Sequence, residues 1–319
     1  MSIADRISTE LFVRKHWVSR VIARAPHAYK EYRIKKKSGG YREIAQPARE
    51  TKRVQYWVIE NVLSEFDVHD CAFGYVQGKS IKLNAEQHKH NQYIAKLDIE
   101  NFFTSITEDH VTLFFKENTK FDDNDISILL KILLRRKTGD TKMAMTIGAP
   151  SSPTLSNILL CDLDREIYSL CAPMGITYTR YADDMSFSTN TKEILFQFSD
   201  RIIPLITKYK YGDFRINQTK TIFRSKRNSR RITGLCITNE EKVSLGRARK
   251  REISAMIHHY KLSKLDKKSI IKLKGLLAFA LDVEPLFVAR MKTKYSQITI
   301  DKIMKEDSGN YRQNNNIQS

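Results

Sequence analysis

The run YTRYADDMSFS, residues 178–188, constrains the fold of this chain more than any other segment. Apolar and polar residues alternate on both sides of the adjacent acids Asp183 and Asp184, which is typical of two short strands joined by a tight turn. Such a hairpin holds both carboxylates rigidly at its tip. Because two neighbouring anions repel each other, the pair favours a divalent cation with oxygen ligands. A solvated turn is the alternative reading, since Asp is common in turns.

A third acid, Asp98, ends another apolar segment. Residues 93–97 predict a strand, Asp98 stands where it ends, and Phe102 and Phe103 begin a turn into a helical segment. A third carboxylate on a neighbouring strand favours the metal site over the solvated turn. Two Mg²⁺ ions about 4 Å apart can activate a 3′-hydroxyl and stabilise a leaving pyrophosphate, and Mn²⁺ is an alternative ion. The predicted chemistry is nucleotidyl transfer.

Four segments occur in the order of the palm motifs of reverse transcriptases, which they resemble: LDIENFF (97–103), GAPSSPTLSN (148–157), YADD (181–184) and INQTKT (216–221). Two more resemble elements of retron reverse transcriptases: NAEQH (84–88) and ITGL (232–235). The resemblance extends from residue 34 to residue 235. One departure is Ile147, because many reverse transcriptases carry Gln before the glycine of this loop.

The resemblance implies an α+β right-hand polymerase with an antiparallel palm sheet and a helical C-terminal thumb. It implies an RNA-directed DNA polymerase that binds a dedicated structured non-coding RNA, primes on the 2′-hydroxyl of an internal guanosine and uses dNTPs. The product would be a branched RNA-linked DNA called msDNA. Retron enzymes typically act in anti-phage defence with a separate effector protein, so both are implied here.

The resemblance also implies roles for individual residues. Asp98 and Asp183 would bridge both metal ions, and Asp184 would be a more dispensable ligand. A hairpin turn at Ser38-Gly39-Gly40 would fold basic side chains over the triphosphate of the nucleotide. The predicted nucleotide-binding residues are Lys35, Lys37, Arg42, Phe103 as an aromatic gate against the 2′-hydroxyl, Gly148 and Lys220. An exposed hairpin, a palm-core Phe103 and a surface Lys220 are the alternatives for these positions.

The charge distribution predicts a polyanionic partner. The formal net charge is +19, and residues 205–275 contain 20 Lys and Arg against 5 Asp and Glu, a net of +15. Nucleic acid fits this concentration better than a membrane, because no Trp-rich amphipathic anchor accompanies it. The resemblance of NAEQH and ITGL to retron elements implies RNA-binding roles for Asn84, His88, Thr233 and Gly234, and the basic segment adds Arg247, Arg249, Lys250 and Arg251. A buried structural histidine is the alternative for His88.

Periodicity predicts the organisation of the chain. We expect N-terminal helices and fingers over 1–90, a palm over 91–240 with a helical insert at 108–137, a thumb over 241–305 and a disordered tail over 306–319. The four cysteines lack paired spacing, so zinc and disulfides are not expected. The first residues lack the apolar core of a signal peptide, and no long uncharged span follows, so we expect a cytoplasmic protein without a membrane partner.

Two other functions are compatible with the motifs. One is an abortive-infection or other domesticated reverse transcriptase that adds nucleotides without a fixed template. The other is a scaffold that holds an RNA–DNA hybrid against an effector, although the intact set of acids disfavours scaffolding alone. No RNase H, endonuclease or integrase pattern is evident, which disfavours a retroviral or complete mobile-intron protein.

Overall fold

The structure, a computed structural model, describes residues 1–36 and 39–306. Lys37 and the predicted tail from residue 307 onward lie outside the described residues. Two compact units divide the chain between Ser225 and Lys226. The palm–thumb boundary predicted at residue 240 therefore falls inside the second unit.

The first unit is a mixed helical and sheet structure. Its strands are β1 Tyr29–Lys35, β2 Tyr41–Pro47, β3 Tyr93–Asp98, β4 Thr177–Tyr181, β5 Asp184–Thr189 and β6 Ile222–Ser225. Its helices are α1 Ile3–Glu10, α2 Lys15–Arg24, α3 Arg49–Asn61, α4 Ile81–Gln87, α5 Glu108–Asn118, α6 Asp123–Leu133, α7 Ser151–Leu159, α8 Cys161–Cys171 and α9 Ile194–Thr207. The α+β right-hand polymerase class expected from the sequence is confirmed.

An antiparallel sheet in the order β4-β5-β3-β6 forms the centre of this unit. Alternation places Leu97, Met185 and Phe187 in the core, each at most 1% exposed. Phe187 stacks on Tyr178 with ring centroids 4.8 Å apart and meets Phe198 of α9 edge-on at 5.6 Å. The sheet is thus fixed from one face by helices, which gives the acids at its end a rigid base.

The hairpin of β1 and β2 is exposed over most of its length and is tied to the loop that follows α6. Arg135 forms an ion pair with Glu31, Lys137 forms one with Glu43 at 2.8 Å, and the N–H of Ala45 donates to the carbonyl of Ile147 at 2.8 Å. The helical insert predicted to residue 137 ends earlier, at Leu133. The reason is that Arg135 leaves the helix and exchanges backbone hydrogen bonds with Ala144.

The second unit combines a small antiparallel sheet with helices. Its elements are β7 Arg230–Ile232, β8 Leu235–Ile237, β9 Val243–Ser244, α10 Arg247–Lys261, α11 Lys267–Val283, α12 Pro285–Tyr295 and α13 Gln297–Lys305. Helices α10 to α13 all lie within the range 241–305 in which the sequence predicted a helical thumb. In the two described ranges, no helix has the length and apolar character needed to cross a membrane.

Candidate active site

A cleft of about 860 Å³ opens at the end of the central sheet in the first unit. Its wall includes Lys36 and Arg42 of the β1–β2 hairpin, the turn after β3, the turn between β4 and β5, and the loop after α6. The predicted site residues that line it are Asp98, Asp183, Arg42, Phe103 and Lys220. The residues that line the cleft therefore come from six separate parts of the sequence.

The carboxylates are placed by strand register. Asp98, the last residue of β3, lies opposite Asp184, the first residue of β5, and Asp183 occupies the turn between β4 and β5. The N–H of Ile99 donates to the carbonyl of Asp183 at 3.0 Å, which joins the end of β3 to this turn. The predicted hairpin with the acids at its tip, beside a strand that ends in an acid, is confirmed.

Two lysines form ion pairs with two of the three acids. Lys220 Nζ donates to both oxygens of Asp98, at 2.8 and 3.0 Å. Lys96 Nζ donates to Asp184 Oδ2 at 2.6 Å, and Asp184 lies outside the described lining of the cleft. Burial and the negative charge of Asp98 raise the pKa of the Asp183 carboxyl, and burial raises the pKa of Asp184 despite its ion pair with Lys96.

The chemistry of these donors suits a divalent cation. A buried carboxylate beside another acid is stabilised by positive charge, and carboxylate oxygens are the ligands that Mg²⁺ prefers. Over residues 1–36 and 39–306, however, no group of three or more His, Cys, Asp or Glu side chains is arranged to hold a metal ion. The metal roles of the three acids stay predictions.

Lys36 lines the cleft, whereas the predicted Lys35 is not among the residues that line it. Lys35 is exposed on β1, and the predicted contact through Lys37 lies outside the described residues. Positive charge also reaches the cleft through Arg135 and Lys137, which the sequence reasoning missed. Arg135 has no local pattern that distinguishes it, because its position depends on the distant Glu31.

Gly148 is explained by packing within the protein. Its φ is +116°, and a Cβ at this position would lie 2.6 Å from the carbonyl oxygen of Ala45 in β2. The glycine is therefore required for close approach of the hairpin strand, and Gly148 is not among the described residues that line the cleft. The role of Gly148 in nucleotide binding stays a prediction. Ile147, next to it, does line the cleft.

Asn84 and His88 lie in the interior. His88 is fully buried, with Nδ1 2.7 Å from Ser188 Oγ and Nε2 2.7 Å from Thr179 Oγ1. Asn84 is also 0% exposed, and its side-chain nitrogen and oxygen have no hydrogen-bond partner within the described parts of the chain. The expectation that these side chains contact RNA directly is therefore corrected. His88 instead joins the end of α4 to β4 and β5, as in the structural alternative.

The burial of His88 predicts a pH-dependent stability. Burial lowers the pKa of His88 from 6.5 to about 3, so the folded protein holds the ring neutral while the unfolded chain takes up a proton below about pH 6.5. The free energy of unfolding should therefore fall as pH drops through 6.5 toward 3. Between pH 7 and pH 5 we expect His88 to contribute a loss of about 2 kcal/mol.

Denaturant unfolding at both pH values tests this expectation. His88→Gln should reduce the pH dependence by that amount, whatever its effect at pH 7. His16→Gln, at an exposed histidine, is the matched control and should leave the pH dependence unchanged. An equal slope in wild type and His88→Gln would show that His88 is not held neutral.

The predicted RNA-binding residues of the second unit differ in their surroundings. Arg247 and Arg251 are exposed on the first turns of α10, and Arg249 is half-buried with its guanidinium 5.2 Å from the ring centroid of Phe279. Lys250 Nζ donates to Glu284 Oε1 at 2.6 Å, and this carboxylate also accepts from Ser244 Oγ. Lys250 thus has a structural role in the second unit, which removes it from the free basic surface.

Thr233 and Gly234 form the turn between β7 and β8. Their φ values of +46° and +82° are those of a two-residue hairpin turn with both central residues in the left-handed region. Glycine tolerates this conformation, whereas a β-branched residue adopts it at a cost. The local geometry explains Gly234 but not Thr233, and the RNA contact of both residues stays a prediction.

Comparison with known proteins identifies the family. Residues 34–237 match the family described as reverse transcriptase (RNA-dependent DNA polymerase). The retron Ec83 reverse transcriptase of Escherichia coli is 38% identical over 287 residues, covering 88% of this chain and 91% of that relative. The retron Ec86 reverse transcriptase of Escherichia coli is 32% identical over 311 residues, covering 95% and 91%. This chain belongs to the retron reverse transcriptases.

The retron Mx162 reverse transcriptase of Myxococcus xanthus is 31% identical over 281 residues, covering 81% of this chain and 58% of that relative. Among solved structures, a telomerase from Candida albicans aligns with 94% of this chain and 65% of its own, at 9% identity and a TM-score of 0.47. Family membership follows from the sequence relatives. It makes the chain an RNA-directed DNA polymerase, as the motifs predicted.

The reverse transcriptase has further cleft residues that sequence reasoning did not single out. Tyr75 is 55% exposed with a φ of +63°, and its ring centroid lies 6.1 Å from that of Tyr181. Burial, Tyr181 and Asp183 raise the pKa of Tyr75, and Arg42 opposes them. Asn217 also lines the cleft, and its N–H donates to the carbonyl of Asp98 at 2.8 Å. Asn217 could have been found from the INQTKT motif, whereas Tyr75 has no comparable signal.

Proposed function

We propose that this retron reverse transcriptase copies a dedicated structured RNA into branched, RNA-linked single-stranded DNA. The observation that carries the proposal is the convergence of Asp98 and Asp183 with Lys36, Arg42 and Lys220 on one cleft of about 860 Å³. Carboxylates beside basic side chains suit the binding of a nucleoside triphosphate. The cations would bind its phosphates, and the acids would face the reacting groups.

Asp98 and Asp183 would hold Mg²⁺, with Asp184 in a supporting position. The bound ions would lower the barrier by activating the attacking hydroxyl and neutralising the charge that develops on the phosphates. The chain's own residues supply the rest. Lys36 and Arg42 orient the triphosphate, and Lys220, beside Asp98, is positioned to give a proton to the leaving pyrophosphate or to bind it.

Phe103 would act as the gate against ribonucleotides. It lines the cleft, is partly buried and contacts Phe102 edge-on with ring centroids 5.1 Å apart. Phe102 is 4% exposed and stacks on Phe214, so the neighbouring aromatic core fixes the ring of Phe103. A fixed ring at the sugar would exclude a 2′-hydroxyl by steric clash.

Phe103→Ala should therefore use ribonucleotides more readily. We expect the ratio of dNTP to rNTP incorporation to fall at least about tenfold, equivalent to about 1.4 kcal/mol. Single-nucleotide incorporation with each substrate measures the ratio on folded protein. Phe121→Ala removes a partly buried aromatic away from the cleft and is the control. An unchanged ratio with an intact fold would assign Phe103 to the core alone.

The nucleic acid that copurifies with the protein tests the main proposal. The protein would be expressed with its native upstream region, and the bound nucleic acid would be extracted and sequenced before and after RNase treatment. We expect one DNA of fixed sequence that retains an RNA nucleotide at its 5′ end and is missing from Asp183→Asn cells. DNA without a fixed template sequence would support untemplated synthesis, and bound hybrid without new DNA would support a scaffold.

We also propose a role in anti-phage defence with a separate effector protein in the cytoplasm, which rests on family membership. The efficiency of phage plating on cells that carry the native gene neighbourhood measures it. Protection that is equal for wild type and Asp183→Asn would separate defence from DNA synthesis. Loss of protection in the variant would support the link.

A further inference from the structure

A fully buried ion pair lies behind the turn that carries Asp183. Arg180 and Asp164 are both 0% exposed, and Arg180 Nε donates to the two oxygens of Asp164 at 2.9 and 3.1 Å. Burying two charges is costly and stabilises a fold less than well-packed apolar residues can. We therefore expect this ion pair to have a role other than stabilising the fold. The remaining contacts of Arg180 indicate that role.

The second arm of Arg180 reaches the turn itself. Its Nη1 donates to the carbonyl of Ala182 at 3.3 Å and to Asn157 Oδ1 at 3.1 Å. Ala182 has a φ of +56°, a conformation that L-residues other than glycine adopt at a cost. Arg180 therefore holds the carbonyl of a strained residue directly before Asp183.

A neighbouring segment packs against the turn. Asn157 Nδ2 donates to the carbonyl of Gly74 at 2.8 Å, and a Cβ on Gly74 would lie 2.8 Å from the backbone nitrogen of Ala182. The backbone of Arg180 exchanges hydrogen bonds with Cys71 and Phe73 at 2.8 and 2.7 Å. The backbone of Ala182 thus contacts both this segment and the Arg180 guanidinium.

We infer that Arg180, Asp164 and Asn157 form a brace that positions the Asp183 turn for metal binding. Asp164 orients the guanidinium, Arg180 fixes the carbonyl of Ala182, and Asn157 joins both to the segment that contains Gly74. These are positioning residues, because they act through the backbone of Ala182, directly before Asp183. The inference rests on the proposed function, in which Asp183 holds Mg²⁺.

Arg180→Lys is the first test. It keeps the charge beside Asp164, but an ammonium lacks the planar fork that reaches Asp164, Asn157 and Ala182 together. The Mg²⁺ concentration for half-maximal DNA synthesis should rise about tenfold or more, as expected when support to metal ligands is lost. This concentration does not depend on the fraction of folded enzyme, so a merely structural defect would leave it unchanged.

A second variant guards against misfolding. In the double variant Arg180→Met with Asp164→Leu, apolar residues replace both charges, which buried pairs often tolerate. It should show the same rise in the Mg²⁺ requirement. Without nucleotides, the increase in melting temperature on adding Mg²⁺ should also shrink, because weaker binding stabilises the folded state less.

Tyr178→Phe is the matched control. It removes the hydroxyl that donates to Asp164 at 2.8 Å and leaves every contact of Arg180 in place. Its Mg²⁺ requirement should equal that of wild type. The inference fails if folded Arg180→Lys and the double variant keep the wild-type requirement, or if Tyr178→Phe shifts as far as they do. Absence of Mg²⁺-dependent synthesis in wild type would instead overturn the proposed function.

Discussion

Asp183→Asn is expected to abolish DNA synthesis while leaving RNA affinity nearly unchanged. The substitution keeps the size of the side chain but removes a negative charge beside Asp98, in the position where burial already makes a compensating cation favourable. The substitution leaves untouched the basic surface that we expect to bind phosphate. Primer extension and RNA binding should be measured on the same purified protein, so that a loss of folded material lowers both.

The acids also allow an internal comparison. Asp184→Asn should have a smaller effect, because Asp184 is paired with Lys96 and lies outside the cleft lining, and the double variant should resemble Asp183→Asn alone. Asp200→Asn makes the same chemical change on the exposed face of α9 and should be silent. Full-rate synthesis by Asp183→Asn would remove this residue from the catalytic role.

The largest expected effect on RNA binding comes from neutralising Arg247 and Arg251. These exposed residues are four apart at the start of α10, so they share a face. Cations at a helix N-terminus oppose the helix dipole, and the N-cap residue Gly246 offers no side-chain cap. An RNA phosphate bound there would be favoured by both the dipole and the arginines.

The variant Arg247→Gln with Arg251→Gln should bind the structured RNA at least about tenfold more weakly, equivalent to about 1.4 kcal/mol. The difference should shrink as salt rises, because each lost phosphate contact lowers the log-log salt slope by about 0.9, or about 0.7 on single strands. Binding curves at several salt concentrations measure both quantities. Extension of a simple annealed primer at saturating template should survive better than initiation on the structured RNA.

Lys302→Gln with Lys305→Gln is the control for charge. It changes the net charge equally within the second unit, at the end of α13, where the helix dipole itself favours cations. Its salt slope should match that of wild type. Equal loss of annealed-primer extension and initiation in the arginine variant, with an unchanged slope, would indicate a folding defect and contradict selective RNA recognition.

Local patterns in the sequence were sufficient for the elements that carry the acids. Alternation around Asp183 and Asp184 predicted β4, the turn and β5, and the apolar segment before Asp98 predicted β3. These predictions succeeded because strand periodicity and turn chemistry act over a few residues. The order of the motifs then identified the family, and the basic composition of the C-terminal third predicted a polyanionic partner.

The tertiary structure determined which polar side chains are available to contact a ligand and which are paired inside the protein. His88 contacts Thr179 and Ser188, 91 and 100 residues away, and no local pattern distinguishes a buried histidine from an exposed one. Lys250 is likewise occupied by Glu284, 34 residues along the chain.

The same is true of the supports around the site. Gly148 is required by the backbone of Ala45, and Arg180 acquires its role from Asp164, Asn157 and Ala182. The sequence by itself determined the family, the chemistry and the residues at the tip of the sheet. Only the fold decided which side chains reach the cleft and which hold it in place, because burial and pairing depend on segments that are distant in the chain and meet only when it folds.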